Sequence, residues 1–206
     1  FVTVTGGPQG NQGETNIQTY TYDSEKQTIT FNPIPDKIYG DVFDLGTTAS
    51  SGLDVTYSSS DTNVATISGS IVTVIGVRTT TITASQAGND YYDAAEDVEQ
   101  TLTVSKRPIE ITADAKSKVY GEEYPDLTFQ VTDGSLAFND AFSGVLARNA
   151  GEDVGINAIT QGTLALNNNY DITFINGELE ITKADATIAV NGTTVTYDGE
   201  EHGATG

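Results

Sequence analysis

The sequence predicts an all-β protein built from tandem modules in an elongated array. Three observations predict it. Apolar and polar residues alternate in many short runs, clusters of Gly, Asn, Asp and Ser separate these runs, and two sequence markers recur at nearly one spacing. Alternation with a period of two is typical of strands that bury one face. No segment carries a convincing amphipathic helical pattern.

The predicted strands are rich in Thr, Val and Ile. In the first half they lie at 27–31, 54–60, 70–75, 79–85 and 99–104. In the second half they lie at 109–113, 127–131, 170–174 and 178–182. Asn176-Gly177 separates the last two runs, and Asn-Gly between alternating runs is a strong signal for a tight hairpin. We therefore expect a β-hairpin at 176–177.

A phrase of Tyr, Gly and acidic residues recurs three times. It reads KIYGDVFDL at 37–45, KVYGEEYPDL at 118–127 and TYDGEE at 196–201, so its tyrosines and glycines are Tyr39, Gly40, Tyr120, Gly121, Tyr197 and Gly199. The tyrosines are 81 and 77 residues apart. We expect the first two glycines to adopt positive φ while the first two tyrosines pack inward, which marks a repeated position in a fold rather than a ligand site. In the third copy the glycine is shifted by one residue.

A lysine between two strand-like runs is the second marker. Lys26, Lys106 and Lys183 are 80 and 77 residues apart. The common period predicts four segments: the last strands of a preceding module at 1–25, complete modules at 26–105 and 106–183, and the start of a following module at 184–206. The one-lysine junctions predict limited bending between modules.

Residues 54–84 resemble a bacterial immunoglobulin-like domain of group 2. The matching features are Val64-Ala65-Thr66-Ile67, Gly76 and the strand Thr81-Ile82-Thr83. Val77-Arg78 departs from the small residues usual there. The resemblance implies an immunoglobulin-like β-sandwich over residues 26–105.

Residues 106–183 resemble the MBG domain, the mostly β, glycine-rich module of bacterial adhesins. The matching phrases are 118–127, 151–182 and the closing Lys183, while 195–206 resembles the opening of a related module. Both resemblances imply tandem sandwich modules in long secreted proteins of the bacterial cell surface. They also imply no catalysis by these modules and no cofactor.

Charge and composition exclude several kinds of partner. The chain has 9 Lys and Arg against 29 Asp and Glu, a net charge of -20. This field repels nucleic acid and anionic lipid. No apolar run approaches the roughly 18 residues of a membrane span, so we expect no membrane insertion. With Cys 0, disulfides and thiolate metal sites are excluded.

Catalytic patterns are missing, and calcium is the one ligand worth weighing. His202 has no nucleophile motif to serve, and the glycine-rich stretch 6–13 lacks the Lys-Ser/Thr of a phosphate loop. Asp90, Asp93 and Asp97 crowd one loop, and Asp133, Asn139 and Asp140 form a looser group. Either group offers the hard oxygen ligands that Ca²⁺ prefers, and either is also typical of a solvated acidic loop.

The sequence therefore favours a structural role. We expect a stalk or spacer segment of a large repetitive bacterial surface adhesin, with neighbouring modules of the same chain as its partners and an unidentified distal ligand. Two alternatives stay open. One is a ligand-binding sandwich that contacts glycan or a host protein, and the other is an accessory region of a secreted glycoside-active enzyme.

Overall fold

The computed structural model describes residues 2–3, 19–20, 23–189 and 196–200. These residues form strands joined by turns and contain no α-helix, which confirms the predicted all-β class. Consequently none of them belongs to a helix long and apolar enough to cross a membrane. Residues 6–13 and His202 lie outside the described residues.

The chain divides into two compact units, and both are discontinuous in sequence. Unit 1 draws on Phe1–Pro108, Ser135–Ala141 and Leu166–Asp171. Unit 2 draws on Ile109–Gly134, Phe142–Ala165 and Ile172–Gly206.

The strands of unit 1 are mostly short. They are β1 (Val2–Thr3), β2 (Thr19–Tyr20), β3 (Ile29–Thr30), β4 (Lys37–Ile38), β5 (Val42–Asp44), β6 (Thr48–Ala49), β7 (Thr56–Ser59), β8 (Ala65–Ser68), β9 (Ile71–Val74), β10 (Thr79–Ser85) and β11 (Val98–Ser105). They form a four-stranded sheet in the order β4-β11-β10-β7, a three-stranded sheet in the order β5-β9-β8, and the pairs β3-β6 and β1-β2.

The core of unit 1 follows from the alternating pattern of its strands. Along β10, Ile82 and Ala84 are fully buried and their neighbours are more exposed. Leu102 on the antiparallel partner β11 and Val72 on β9 are fully buried as well. Every second side chain of a strand points to one face, so these residues form one hydrophobic cluster. Burying each large aliphatic side chain contributes about 1.5–3 kcal/mol.

Unit 2 contains two further sheets. Its strands are β12 (Arg107–Ala113), β13 (Lys116–Val119), β14 (Phe129–Asp133), β15 (Ala147–Arg148), β16 (Gly155–Thr160), β17 (Tyr170–Ile175) and β18 (Gly177–Thr182), of which β12 and β17 begin within unit 1. The sheets have the orders β14-β12-β17 and β13-β18-β16-β15. Ile111, Ile159, Leu179 and Ile181 are buried in their common core.

The hairpin predicted at Asn176-Gly177 is wrong. Strands β17 and β18 lie in different sheets, so this dipeptide carries the chain from one sheet to the other. A Cβ atom on Gly177 would lie 2.7 Å from the carbonyl oxygen of Ala113. The glycine is therefore required by the close approach of β12 rather than by a tight turn.

In each unit a short strand runs parallel to the long strand that closes the unit. Ile38 of β4 aligns with Ser105 of β11, and Val119 of β13 aligns with Thr182 of β18. Both short strands end immediately before a Tyr-Gly pair. The repeated phrase is thereby placed at the end of a sheet in both units.

Candidate functional site

The first two Tyr-Gly phrases form the same backbone turn. The Tyr39 N–H donates to the Ser105 carbonyl at 3.1 Å, and the Tyr120 N–H donates to the Thr182 carbonyl at 2.8 Å. Each turn is closed by a further N–H···O=C bond of 3.1 Å, from Asp41 to Ile38 and from Glu122 to Val119. Gly40 has φ 88° and Gly121 has φ 86°, which confirms the positive φ predicted for both.

Each phrase also places a lysine over an aromatic ring six residues later. The Lys37 Nζ lies 4.5 Å from the ring centroid of Phe43, and the Lys118 Nζ lies 3.7 Å from that of Tyr124. Contacts of this kind contribute about 0.5–2 kcal/mol, depending on desolvation. This pair is not among the features predicted from the sequence, although each phrase has a lysine two residues before its tyrosine and an aromatic residue four residues after it.

The tyrosine side chains differ between the two turns. Tyr39 is 5% exposed, as predicted, whereas Tyr120 is 52% exposed. The prediction that Tyr120 packs inward is therefore wrong. The turn fixes only the backbone, and burial depends on what packs over the ring. The third copy is exposed too, since Tyr197 is 93% exposed although Gly199 also has positive φ.

The Tyr39 ring is buried by a cluster within unit 1. We call Tyr39, Asp140, Asn167 and Tyr170 the Asp140 cluster. The Tyr39 and Tyr170 hydroxyls donate to Asp140 Oδ2 at 3.0 and 2.8 Å, and the Asn167 amide donates to Oδ1 at 2.8 Å. The two tyrosine rings meet edge to face with centroids 5.5 Å apart. The loose acidic group predicted around Asp140 therefore contributes a hydrogen-bond acceptor for buried hydroxyls.

Two further residues pack on the turn at Tyr39. The Phe138 ring meets the Tyr39 ring edge to face with centroids 5.5 Å apart. Phe138 adopts this position with φ 53°, the left-handed region that side chains other than Asn and Asp rarely adopt. The Arg107 guanidinium donates to the Tyr39 carbonyl at 3.1 Å and to the Ser135 carbonyl at 2.8 Å. The packing of Phe138 on Tyr39 offsets the cost of this strained backbone conformation, and the Arg107 hydrogen bonds connect the Tyr39 turn to Ser135.

Burial also sets the protonation of the cluster. Burial, followed by the hydrogen bond and charge of Asp140, raises the pKa of Tyr39 above its ordinary value. The pKa of Tyr170 is raised by burial first, while the hydrogen bond from the Ala137 N–H acts in the opposite direction and Asp140 raises it further. Both hydroxyls therefore remain protonated donors at neutral pH. Hydrogen-bond networks of this kind hold packed segments in one arrangement when every buried member has a partner.

Unit 2 has a charged cluster around Tyr124. Lys118 is buried and pairs through Nζ with the Glu152 carboxylate. The Tyr124 ring also lies 3.5 Å from the Arg148 guanidinium carbon, and its hydroxyl donates to the Gly151 carbonyl at 2.9 Å. The hydrogen bond from Lys118 lowers the pKa of Glu152. This cluster neutralises a lysine that would otherwise be a buried, unpaired charge.

The aspartates of the acidic loop of unit 1 are not brought together as a group of ligands in this structure. Asp93 accepts a hydrogen bond from the Ser24 hydroxyl. Among residues 23–189 and 196–200, no three His, Asp or Glu side chains are grouped so that they would hold a metal ion, and this includes Asp90, Asp93 and Asp97. The loop borders a cleft of about 460 Å³. The residues that line the cleft are Lys26, Gln27, Thr28, Ile29, Asp93, Ala94, Glu96 and Val98.

The polar floor of this cleft is already satisfied. Gln27 is buried, and its amide donates to Gln86 Oε1 at 2.8 Å and to the Asp93 carbonyl at 2.6 Å. A ligand would therefore meet the rim charges of Lys26 and Glu96. The volume falls within the roughly 300–1,000 Å³ of ligand pockets.

Two solved structures of Drosophila N-cadherin are weakly similar to this chain. No curated protein sequence matches significantly. Drosophila N-cadherin EC1-3 aligns at 8% identity over 78% of this chain and 69% of that chain, with a TM-score of 0.28. Drosophila N-cadherin EC1-4 aligns at 9% identity over 78% of this chain and about half of that chain (51%), also with a TM-score of 0.28. Scores this low support no argument about this protein.

A family comparison is more specific. The match covers residues 109–180, which include strands β13 to β17 and both segments that unit 1 takes from the second half of the chain. It also includes Tyr120-Gly121-Glu122, a Tyr-Gly-X sequence at the turn described above. Residues 109–180 match the family described as the MBG domain (YGX type), a domain found in bacterial surface proteins.

Proposed function

We propose that this chain is a stalk or spacer segment of a large bacterial surface adhesin and projects a distal binding region. The observation that carries the proposal is the MBG match at residues 109–180. We assign residues 26–105 to a group 2 immunoglobulin-like module and place the protein outside the cell. On this proposal the segment has no catalytic activity of its own.

The connection between the two halves supports a spacer. A single residue, Lys106, separates β11 from β12. The sequence period predicts a junction between two modules at this residue, and a linker of one residue is expected to limit bending, as a spacer requires. The net charge of -20 adds self-repulsion, which favours extended over collapsed arrangements at low salt.

Small-angle X-ray scattering of the whole chain tests the proposal. A compact protein of this length has a radius of gyration of about 17 Å. We expect a clearly larger value, together with a distance distribution typical of a rod. A matched variant with Gly-Ser-Gly-Ser inserted after Ser105 should broaden that distribution. A radius near the compact value for the unaltered chain would contradict the proposal.

The cleft beside Gln27 favours a second candidate, a module that binds glycan or a host protein. Its rim presents both a cation and carboxylates, which suit polar ligands. A glycan array probed with the whole chain tests this candidate. Binding that is lost in Lys26→Ala and retained in the exposed control Asp36→Ala would favour it over a purely mechanical role.

A further inference from the structure

The Tyr-Gly turn of unit 2 lacks the cover that the same turn has in unit 1. A Cβ atom on Gly40 would lie 2.5 Å from the Cβ of Ala137, whereas a Cβ on Gly121 would meet no described atom within 4 Å. Likewise, no aromatic ring of the described residues packs on Tyr120. The same backbone turn is therefore covered by other residues in unit 1 and exposed in unit 2.

The open end of unit 2 carries an apolar surface. We call Tyr120, Gly121, Val154 and Ile156 the Tyr120 end. Val119 aligns with Thr182 and Gly155 aligns with Ile181, so strands β13, β18 and β16 bring these residues to one end of a sheet. Val154 is 46% exposed and Ile156 is 67% exposed. Exposed apolar residues at the same end of a sheet as an exposed tyrosine are typical of a contact surface.

The cover of Tyr39 shows what chemistry fits such a turn. It consists of a small residue against the glycine, two rings on the tyrosine and a carboxylate that accepts from its hydroxyl: Ala137, Phe138, Tyr170 and Asp140. All four residues lie in Ser135–Ala141 and Leu166–Asp171, inside the matched range 109–180. One module of this family therefore carries both the turn and the residues that cover such a turn.

We propose that the Tyr120 end binds a second MBG-type module through that module's equivalents of Ala137, Phe138, Asp140 and Tyr170. This inference rests on the proposed function, because a spacer with several such modules supplies the partner within its own chain. The tyrosine hydroxyl gains a charged acceptor, and the exposed apolar residues gain a dry contact. If each module covers the Tyr-Gly turn of the module before it, the same contact is repeated along the array.

An extended chain tests the proposal. Residues 107–206 are repeated directly after Lys183, so that the second junction has the same Lys-Arg-Pro sequence as the first. The added copy carries Tyr120→Phe, so that only one Tyr120 is present. Nitration with tetranitromethane, located by mass spectrometry, reports access to that ring. We expect Tyr120 to react about tenfold more slowly in the extended chain, in line with the exposed fractions of 52% for Tyr120 and 5% for Tyr39.

A second variant separates specific cover from general crowding. Phe138→Gly in the added copy removes one covering ring, and glycine tolerates the positive φ at this position, so the copy should still fold. We expect this variant to restore part of the Tyr120 reactivity, while Asp133→Ala in the same copy leaves the protection unchanged.

Equal reactivity of Tyr120 in the original and extended chains would overturn the proposal, as would protection that Phe138→Gly leaves intact. Small-angle scattering from the same extended chain measures its length and so tests the spacer function independently. A length that grows with the added copy while Tyr120 stays reactive would reject the docking contact and leave the spacer function standing.

Discussion

The Tyr39 hydroxyl donates a hydrogen bond of 3.0 Å to Asp140 Oδ2, across 101 residues of sequence. The same carboxylate oxygen accepts from Tyr170 at 2.8 Å. Both tyrosine side chains are buried, so one carboxylate provides the acceptor for two hydroxyls that have little access to water. The stability of unit 1 should therefore depend strongly on this residue.

Asp140→Ala should destabilise unit 1 by roughly 2–4 kcal/mol, because hydrogen bonds to charged groups contribute about 1.5–3 kcal/mol each and buried hydroxyls lose their acceptor. Native-state hydrogen exchange of the β10 and β11 amides measures the loss in unit 1 specifically. The exposed Asp133→Ala serves as the control and should stay within about 0.5 kcal/mol. Equal effects of the two substitutions would show that the Asp140 cluster is energetically unimportant.

The raised pKa values of Tyr39 and Tyr170 predict a loss of stability in alkali. The folded state holds these protons at pH values where the unfolded chain has released them. This contribution is complete below the ordinary tyrosine pKa of 10.0 and is lost as the pH rises through the higher pKa values of the folded state. Absorbance of tyrosinate should show the late titration of these two residues. Tyr39→Phe should remove one of them, whereas the control Tyr91→Phe should leave both in place.

The lowered pKa of Glu152 predicts the opposite behaviour in acid. Its pairing with Lys118 stabilises unit 2 at pH values above the ordinary glutamate pKa of 4.5. The contribution is lost as the pH falls from there through the lower folded value, because protonation leaves the buried Lys118 without its counter-charge. Glu152→Gln should weaken the fall in melting temperature at acid pH, measured by thermal melts of the whole chain. The exposed control Glu123→Gln should leave the pH dependence of the melting temperature unchanged. An unchanged pH dependence in both variants would refute the pairing.

Gly40 and Gly121 form a matched pair for mutation. Alanine at either position should cost about 1–2 kcal/mol, because a side chain is disfavoured at positive φ. Gly40→Ala should cost a further 1–3 kcal/mol or so, because its Cβ would overlap Ala137, whereas the space at Gly121 is open. Denaturant unfolding, monitored by hydrogen exchange of the amides of each unit, measures both effects. Equal costs would mean that Ala137 moves away without penalty.

Divalent cations should act on this chain only as diffuse counter-ions. The net charge is -20, and Asp90, Asp93 and Asp97 form no metal-binding group. Thermal melts with millimolar Ca²⁺ or Mg²⁺ at matched ionic strength should therefore nearly coincide. A specific site would instead stabilise by mass action and prefer Ca²⁺. A rise of several degrees with Ca²⁺ alone, abolished by Asp93→Ala, would establish such a site.

The sequence by itself determined the local features of this protein. Alternation of apolar and polar residues identified β10, β11, β12 and β18, because a side-chain period of two is a local property of strands. The repeated phrase identified the turns at Gly40 and Gly121. Glycine adopts positive φ more readily than other residues, so the residue type alone indicates the backbone conformation at that position.

Only the tertiary structure decided which repeated residues are buried and what they contact. Tyr39 and Tyr120 share a phrase and a backbone turn, yet one ring is covered and the other is open. Asn176-Gly177 has the sequence of a hairpin but connects two sheets, because Gly177 is required by the approach of Ala113. The residues that bury Tyr39 and that approach Gly177 lie tens of residues away along the chain. Local pattern fixes backbone geometry, whereas packing between distant segments fixes burial, hydrogen-bond partners and the sites that remain open.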